Sequence, residues 1–339
     1  MTRFLLRRLA GSAIVLLGLS VITFALARVV PSNPAAVYIG PKARPEDIER
    51  VARELGLDRP LPIQYLTYMR DMLTGDWGTS IGTKRPVLDE IVVRLPATLE
   101  LIFAAMLLAI PIGILLGVLS ARWQRRPPDL VVRLISIVGV SLPAFWLGLL
   151  LQVLFFRTLH LLPLTGRVDP DLRFTAPIAD FTGFHLIDAL VSGNWVALGD
   201  VGLHLVLPAL TLAAYPIGLI ARMTRASMLE ALGQDYVRAA RAAGIADRLI
   251  TYRLALKNAL IPVTTVVGLT LAYSLTGTFF VEVVYNWPGL GTFAVKGLLN
   301  LDYPVVMGIT LFGATAYVVI NLVVDLAQSW LDPRTRLAA

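Results

Sequence analysis

The chain alternates between long runs of apolar residues and polar connecting segments. A helix needs about 20 mainly apolar residues to cross the hydrocarbon core of a bilayer. Six runs have this length and predict transmembrane helices over residues 9–29, 97–120, 131–156, 204–221, 259–281 and 304–326. The pattern therefore predicts an all-α membrane protein with six transmembrane helices.

Prolines bear on the start of the third predicted helix and on the continuity of the fourth. Pro127 and Pro128 are expected to precede the third helix, because a proline inside a helix breaks it. The fourth run contains Pro208 and Pro216. Membrane helices tolerate proline where neighbouring helices or water satisfy the freed carbonyl groups. A broken or kinked fourth helix is therefore expected.

The first run also has features of a secretory signal peptide. It follows Arg7 and Arg8 and contains Ala25-Leu26-Ala27, which is typical of a cleavage site. Its apolar stretch is longer than the core of about 7–15 residues found in signal peptides. We therefore interpret residues 1–30 as an uncleaved first transmembrane helix.

Basic residues are concentrated in alternate connecting segments. Residues 1–8, 121–130 and 222–258 carry a surplus of Arg and Lys, whereas residues 282–303 carry only Lys296 as a basic residue. Short basic loops stay in the cytoplasm. Both termini, including a tail at 327–339, and the 222–258 segment are therefore predicted to be cytoplasmic.

Two long segments are predicted on the outer side, at residues 31–96 and 157–203. In the first, Pro45 opens a helical pattern that Gly56 ends, and a second pattern follows Pro62. This helical cap fits two interpretations, a small domain packed on the membrane surface and a docking site for a substrate-delivery protein. The second segment mixes Pro, Gly and Asp with aromatic residues, and its role is open.

Composition supports a membrane protein and removes several kinds of chemistry. Of 339 residues, 56% are hydrophobic and 16% are charged, compared with about 45–50% and about 25% in soluble domains. The net charge of +7 lies between apolar runs and indicates membrane orientation rather than nucleic-acid binding. The absence of cysteine excludes disulfides, thiolate metal sites and cysteine nucleophiles. His160, His185 and His204 lack the spacing of metal ligands.

We find no motif for nucleotide or peptide-bond chemistry. The Gly-rich stretch Gly78–Lys84 has the wrong spacing for a phosphate-binding loop, and Arg85 stands where that loop has Ser or Thr. The stretch Gly139-Val140-Ser141-Leu142 lacks the second glycine of intramembrane serine proteases. No cofactor is therefore expected on this chain.

Ion-coupled transport would need titratable groups deep in the membrane. Glu100, Glu282 and Asp325 lie near the ends of predicted helices, where we expect water to reach them. The chain thus contains a membrane path without its own energy source. The energy must come from a partner, unless the protein is a passive channel.

The third basic segment contains a short alanine-rich helix. Asp235 is expected to cap a helix over Val237–Ala243, and Gly244 to end it with a left-handed turn. Alanine gives high helix propensity and a narrow surface, so the helix fits a cleft on another protein, with Arg238 and Arg241 pairing with acids at the rim. A helix lying in the lipid headgroups fits the same residues.

The stretch from Glu230 to Pro262 resembles the cytoplasmic coupling loop of ABC importer permeases, the EAA loop. Arg238-Ala239-Ala240 and Gly244 fall on its conserved pattern, although Arg238 replaces Glu and Leu256-Lys257 replaces Leu-Pro. Further motifs of the dipeptide, oligopeptide and nickel permease branch follow in order along nearly the whole chain: Gly75–Ser80, Arg94–Glu100, Ser141–Trp146, Gly233–Tyr236, Asn286–Gly291, Asp302–Val305 and Leu331–Arg334. The early outer segment resembles that of the B-type, or first, permease subunit.

This resemblance implies a type I ABC importer permease fold, with a five-helix core at residues 97–326, in a bacterial or archaeal cytoplasmic membrane. It implies a second homologous permease subunit, two ABC ATPase domains that bind ATP and Mg²⁺, and an extracytoplasmic binding protein that delivers peptide. Movement of the ATPases would act on the loop helix and switch the permease between inward and outward openings. The ATPase contact is carried over to Asp235, Tyr236, Arg238, Ala239, Ala240, Gly244 and Ile245.

Contacts with the transported molecule are harder to assign. Three residues inside predicted helices are candidates for the translocation path, although hydrogen bonding between helices accounts for them as well: Gln152, Tyr273 and Asn321. A candidate outer gate lies in Val281–Gly291, where the aromatic residues also fit a role as interface anchors: Glu282, Tyr285 and Trp287.

Two other functions remain open from the sequence alone. One is a secondary carrier driven by ions, and the other is a membrane protease that uses Ser141. Within the importer interpretation, the cargo is a dipeptide, a longer peptide, a glutathione-like molecule or chelated nickel. The ATPases are either separate or fused into one chain.

Overall fold

The computed structural model describes residues 2–29, 34–39, 44–54 and 56–331. Across these ranges the regular structure is helical, and the only extended pairing is one isolated bridge between Thr79 and Pro86. The predicted all-α class is confirmed. The predicted tail at 327–339 lies largely outside the described residues.

The helices are labelled in chain order. In the N-terminal part of the chain they are α1 (Thr2–Val29), α2 (Pro34–Ile39), α3 (Pro45–Glu54), α4 (Leu61–Thr74), α5 (Val87–Arg122), α6 (Pro127–Ser141), α7 (Ala144–Leu151), α8 (Leu172–Thr175) and α9 (His185–Val191). They continue with α10 (Trp195–Leu232), α11 (Asp235–Ala242), α12 (Asp247–Leu249), α13 (Leu256–Val284), α14 (Leu290–Leu299) and α15 (Tyr303–Leu331). Two π-helical stretches, Gln152–Thr158 and Ile250–Ala255, extend α7 and join α12 to α13.

Within the described ranges, four helical stretches are long and apolar enough to cross a membrane: Val87–Arg122, Trp195–Leu232, Asp247–Val284 and Tyr303–Val324. They contain the second, fourth and fifth predicted runs and most of the sixth. A shorter apolar helix, Ala10–Leu26, lies inside the first run. The count of six spans and the cytoplasmic position of both termini stay predictions.

The third predicted run, 131–156, is not one continuous helix. It forms α6 and α7, which are bent by 111° at the break between them. The cause is Pro143, because a proline disfavours helical geometry at the residue before it. Leu142 is accordingly extended, with φ −77° and ψ 132°. The expectation that Pro127 and Pro128 precede this helix is wrong, because α6 begins at Pro127 and proline is tolerated in the first helical turn.

The fourth run is one continuous helix, so the expected break does not occur, whereas the expected kink stays a prediction. Helix α10 runs from Trp195 to Leu232 with Pro208 and Pro216 inside it. Both prolines are buried, and α10 packs against α6, α7, α9 and α13. Contact with these neighbours offsets the hydrogen bonds that each proline removes from the helix.

The chain forms two compact units. Unit 1 consists of Met1–Pro96 and Gly289–Val318, and unit 2 of Ala97–Pro288 and Val319–Ala339. The predicted division into a first helix, a cap, a core and a tail stays a prediction. Unit 2 contains the resembled coupling loop and the outer-gate candidates.

Unit 1 contains the two helices predicted for the outer cap. Helix α3 begins at Pro45, Gly56 follows it with φ +61°, and Gly75 ends α4 with φ +89°. Positive φ suits glycine, which has no Cβ to clash with the backbone. An aromatic and sulfur-containing cluster packs α4 against α1 and α15: Phe24, Tyr65, Tyr68, Met72, Tyr303 and Met307.

Two of the motifs noted in the sequence meet within unit 1. Asp302 accepts hydrogen bonds from the Ser80 hydroxyl at 2.6 Å and from the Gly82 backbone N–H at 2.9 Å. Gly78 lies so close to Pro304 that an added Cβ would touch its Cβ at 3.4 Å. The loop after α4 is therefore fixed to the start of α15 by a carboxylate 222 residues away along the chain.

Unit 2 is built around α10, which α5 and α6 approach without intervening side chains. A Cβ added at Gly113 would lie 2.7 Å from the Ile220 side chain. One added at Gly117 would lie 2.7 Å from the Ala221 carbonyl oxygen. On the other side, Gly218 of α10 has the same relation to the Ser136 carbonyl oxygen at 2.6 Å. Small residues at such crossings let membrane helices approach closely.

Replacement of Gly117 by alanine is expected to destabilise unit 2. The new Cβ would overlap the Thr224 side chain and the Ala221 carbonyl, and overpacking of this kind costs about 1–3 kcal/mol. We expect a lower midpoint of thermal denaturation for the purified Gly117→Ala protein in detergent. The matched control is Gly202→Ala, because nothing lies within 4 Å of a Cβ added there. Equal midpoints for the two variants would contradict the packing described for α5 and α10.

Candidate functional site

The resembled coupling loop forms a short helix, α11, from Asp235 to Ala242. Asp235 is its first helical residue and Gln234 precedes it, so the prediction that Asp235 caps the helix is wrong. The carboxylate instead accepts a hydrogen bond from Arg238 Nη1 at 3.2 Å, one turn along the helix. A negative charge in the first turn still stabilises the helix through its dipole.

The predicted end of this helix is confirmed. Gly244 has φ +75°, in the left-handed region. Its N–H donates to the Arg241 carbonyl at 3.0 Å, and the Ile245 N–H donates to the Ala240 carbonyl at 3.1 Å. These bonds satisfy carbonyl groups that a helix end would leave open. Gly244 thereby reverses the chain directly after α11.

Helix α11 has one buried and one exposed face. Val237 and Ala240 are buried and pack with Ile250 and Leu254, which lie in the π-helical stretch before α13. The other six residues carried over from the coupling loop are exposed: Asp235, Tyr236, Arg238, Ala239, Gly244 and Ile245. The buried face packs α11 against the rest of unit 2, and the exposed face is open to solvent in the isolated chain.

Two ion pairs lie on the exposed face. Arg238 pairs with Asp235 at 3.2 Å, and Arg241 pairs with Asp247 at 3.3 Å. More than half of each of these four side chains is exposed, and ion pairs in such positions contribute only about 0–1 kcal/mol. Both guanidinium groups can therefore turn towards acidic groups of another protein at little cost.

At the opposite end of unit 2, the three candidate gate residues are completely enclosed. Glu282 accepts a hydrogen bond from the Thr98 hydroxyl at 2.7 Å. The Tyr285 hydroxyl donates to the Gly148 carbonyl at 3.1 Å, and the Trp287 indole N–H donates to the Ala97 carbonyl at 2.8 Å. Glu282, Tyr285 and Trp287 are 0–1% exposed, so the aromatic rings are not anchors at the lipid interface. A gate role for these residues stays a prediction.

The three candidates for the translocation path have different surroundings. Gln152 is buried and donates to the carbonyls of Leu164 and Val284, both at 3.1 Å, as expected for a residue that joins helices and loops. Tyr273 is exposed on α13 and stacks on Tyr215 at 5.4 Å between ring centroids. Asn321 is half-buried in α15. Their role in translocation stays a prediction.

The expectation that water reaches Glu100 and Glu282 is wrong. Glu100 is 5% exposed and pairs with Arg167, whose Nη2 lies 2.6 Å from its carboxylate. The same carboxylate accepts the Leu186 backbone N–H at 2.8 Å. The outer segment folds back over the helix ends and supplies both donors, which sequence spacing does not reveal. The side chain of Asp325 lies outside the described residues.

The outer segment, residues 157–203, is thus held tightly to the ends of the long helices. Arg167 also donates to the Gly183 carbonyl at 2.7 Å, and its guanidinium lies 5.8 Å from the Trp287 ring centroid. The Gly166 N–H donates to the Tyr285 carbonyl at 2.8 Å. We call this segment the outer clamp, because it connects α7 to α10 and is bonded to the end of α13.

A half-buried histidine lies within this clamp. Burial, and next the positive charge of Arg167, lower the pKa of His185 from 6.5 to about 4, although Asp180 and Asp188 oppose the shift. Its Nδ1 has no hydrogen-bond partner in the part of the chain that the structure describes. His185 is therefore neutral near pH 7.

The chain matches two family models of transport proteins. Residues 109–337 match "Binding-protein-dependent transport system inner membrane component", and residues 1–102 match its N-terminal companion family. Together they account for almost the whole length of the chain.

Named relatives align over nearly their full length. A protein named "Probable D,D-dipeptide transport system permease protein", from Escherichia coli strain K12, is 47% identical over 97% of this chain and 96% of its own. A dipeptide transport system permease protein of Alkalihalophilus pseudofirmus is 41% identical over 99% and 100% of the two chains. A glutathione transport system permease protein of Salmonella typhi is 35% identical over 99% of each.

Acid is expected to weaken the outer clamp through His185. The unfolded segment takes up a proton at pH values below about 6.5, whereas the folded protein keeps His185 neutral down to a pKa of about 4. Stability is therefore fully present above about pH 6.5 and is lost progressively as the pH falls to about 4. Resistance of the outer segment to proteolysis, measured from pH 7 downwards, should decrease over this range.

The test compares His185→Gln with the wild-type chain. The variant should show a flatter pH profile, whereas His160→Gln should behave like wild type because His160 is exposed. Superimposable profiles for His185→Gln and wild type would contradict the assignment.

Proposed function

We propose a role in peptide import, because this chain belongs to the family of inner membrane components of binding-protein-dependent transport systems. The family predicted from the motifs is thereby confirmed, and so is the location in the inner membrane. The proposal is that the chain forms half of a translocation path for short peptides. The observation that carries it is the full-length alignment with permeases of dipeptide transport systems.

The proposed assembly contains partners that the chain itself lacks. A second homologous permease would complete the path, two ABC ATPase domains would bind ATP and Mg²⁺ and hydrolyse the nucleotide, and an extracytoplasmic protein would deliver the peptide. The chain itself acts without catalysis. The exposed face of α11 supports the ATPase contact, because it carries narrow alanine positions and two weakly paired arginines on a helix fixed from behind.

Dipeptides are the substrate class that we propose. The relatives are named for D,D-dipeptide, dipeptide and glutathione transport, and all three kinds of molecule are short and carry free carboxylate and amino groups. The higher identities are with the two dipeptide permeases.

Neither of the other two functions gains support. An ion-coupled carrier would need titratable groups that change protonation on the path. The buried Glu100 instead forms an ion pair with Arg167 and accepts a hydrogen bond from the Leu186 backbone N–H. A protease that uses Ser141 has no support among the matching families.

Substitution Gly244→Pro is expected to abolish ATP-driven dipeptide uptake without preventing membrane insertion. Proline fixes φ at about −65°, whereas Gly244 at the end of α11 has φ +75°. Proline therefore cannot adopt the backbone conformation that ends the helix here. The measurement is uptake of labelled dipeptide into vesicles that contain the full transporter, with the chain quantified in the membrane fraction.

The matched control is Gly244→Asn, because asparagine tolerates the left-handed region and a Cβ at this position meets nothing within 4 Å. It should retain uptake. Uptake at the wild-type rate in Gly244→Pro would refute the role of α11. Wild-type uptake that persists without ATP but stops with an ionophore would support the ion-coupled carrier instead.

A cysteine placed on the exposed face of α11 is expected to crosslink to an ATPase subunit. The chain has no cysteine of its own, so Ala239→Cys introduces a single thiol on the exposed face. We expect a bifunctional thiol reagent to join it to the ATPase in the assembled transporter.

The control is Phe174→Cys in the outer segment, where the native side chain is 89% exposed. This thiol should react with a membrane-impermeant reagent in intact cells and give no ATPase crosslink. The reverse pattern for the two positions would overturn both the orientation and the docking surface.

A further inference from the structure

A buried ion pair lies at the inner end of unit 2, where α5, α6 and α10 meet. Arg225 of α10 donates from Nε to Asp129 Oδ1 at 2.7 Å and from Nη2 to Oδ2 at 3.0 Å. The Asp129 side chain is 2% exposed, and that of Arg225 is 24% exposed. Two parallel hydrogen bonds of this kind fix the angle between the groups as well as their distance.

The remaining acceptor positions of the Asp129 carboxylate are also filled. The Ser120 hydroxyl of α5 donates to Oδ1 at 2.5 Å, and the Arg125 backbone N–H donates to Oδ2 at 3.0 Å. Arg125 has φ +62°, in the left-handed region, which is sparsely populated by residues other than glycine. One carboxylate therefore holds the end of α5, the turn after it, the start of α6 and the inner part of α10.

Arg225 lies on the part of α10 that carries α11. It is two helical turns before Leu232, where α10 ends, and α11 begins at Asp235. With a rise of about 1.5 Å per residue, the ion pair is about 10 Å along the axis from the end of α10. A displacement of α11 that travels along α10 therefore passes the Arg225 position before it reaches the rest of that helix.

Along their length, α6 and α10 already pack as a rigid pair. A Cβ added at Gly139 of α6 would lie 2.7 Å from the Ala214 carbonyl oxygen, and one added at Gly218 of α10 would lie 2.6 Å from the Ser136 carbonyl oxygen. Beyond these contacts α6 ends at the 111° bend before α7. The ion pair joins α6 to α10 at the end of α10 that leads into α11.

We propose that the Asp129–Arg225 ion pair is the link that makes α6 follow the movement of α10 and α11. Through this link, ATP hydrolysis on one side of the membrane stays coupled to peptide delivery on the other. This inference rests on the proposed function as an ATP-driven importer. Asp129 and Arg225 are positioning residues that act through the helices they join. A stabilising role alone accounts poorly for the pair, because buried ion pairs contribute little net stability compared with apolar residues of similar size.

The test uses the full transporter in lipid vesicles together with its binding protein and a dipeptide. It measures ATP hydrolysis with and without the peptide-loaded binding protein, and peptide uptake per ATP hydrolysed. The variants are Asp129→Asn, Arg225→Gln and the doubly substituted Asp129→Asn/Arg225→Gln chain. The matched control is Ser120→Ala, which removes one hydrogen bond to the same carboxylate and leaves the ion pair in place.

The double variant separates a mechanical link from a stabilising contact. Each single variant leaves one charge without its partner, so a lower denaturation midpoint is expected, and the double variant should recover stability because neither charge remains. Stimulation of ATP hydrolysis by the loaded binding protein should nevertheless fall by about 5-fold or more in all three, which is the lower range for coupling between distant sites. Ser120→Ala should keep the wild-type stimulation.

Each outcome decides the proposal. Wild-type stimulation and uptake per ATP in the double variant would overturn the link and leave the pair as a structural contact only. Lost stimulation in the stable double variant, with Ser120→Ala unaffected, would support the link. Failure of the wild-type transporter to couple ATP hydrolysis to dipeptide uptake would refute the proposed function itself.

Discussion

Close contact between helix backbones around α10 is the constraint on which the rest of unit 2 depends. Gly117 and Gly218 leave no room for a side chain at the crossings with α5 and α6. Because apolar side chains gain little by leaving lipid for one another, such van der Waals contact must supply much of the attraction between membrane helices. With the long helices fixed in this way, each end of unit 2 can place a carboxylate where a distant arginine meets it.

The two ends solve the same electrostatic problem with different elements. A carboxylate removed from water is costly unless it is paired and hydrogen-bonded. At the end predicted to face outwards, the partner Arg167 comes from an irregular segment that folds back over Glu100. At the opposite end, Arg225 belongs to a continuous helix that leads into α11. The Glu100–Arg167 pair therefore fixes a loop, whereas the Asp129–Arg225 pair connects α6 to α10.

The parts of this fold that could be predicted depend on local sequence. Run length identified the long apolar helices, and glycine identified the end of α11 at Gly244, because each signal lies in or directly beside the element it describes. The break at Pro143 was missed since the apolar run continues through it. The contacts of Ser80 with Asp302 and of Asp129 with Arg225 join residues far apart in sequence, and no periodicity marks such pairs in a single chain.

The coupling motif combines requirements of two different kinds. Ala240 is buried against Ile250, so its small size serves the packing of α11 on its own chain. Ala239 and Arg238 lie on the exposed face, where the only ion pair found for Arg238 among the described residues is the weak one with Asp235. Arg238, which stands where the resembled motif has Glu, therefore adds a weak ion pair to α11 and changes the charge that a partner would meet. If the proposed ATPase contact holds, its cleft would present acidic rather than basic groups opposite position 238, since like charges at close range would oppose docking.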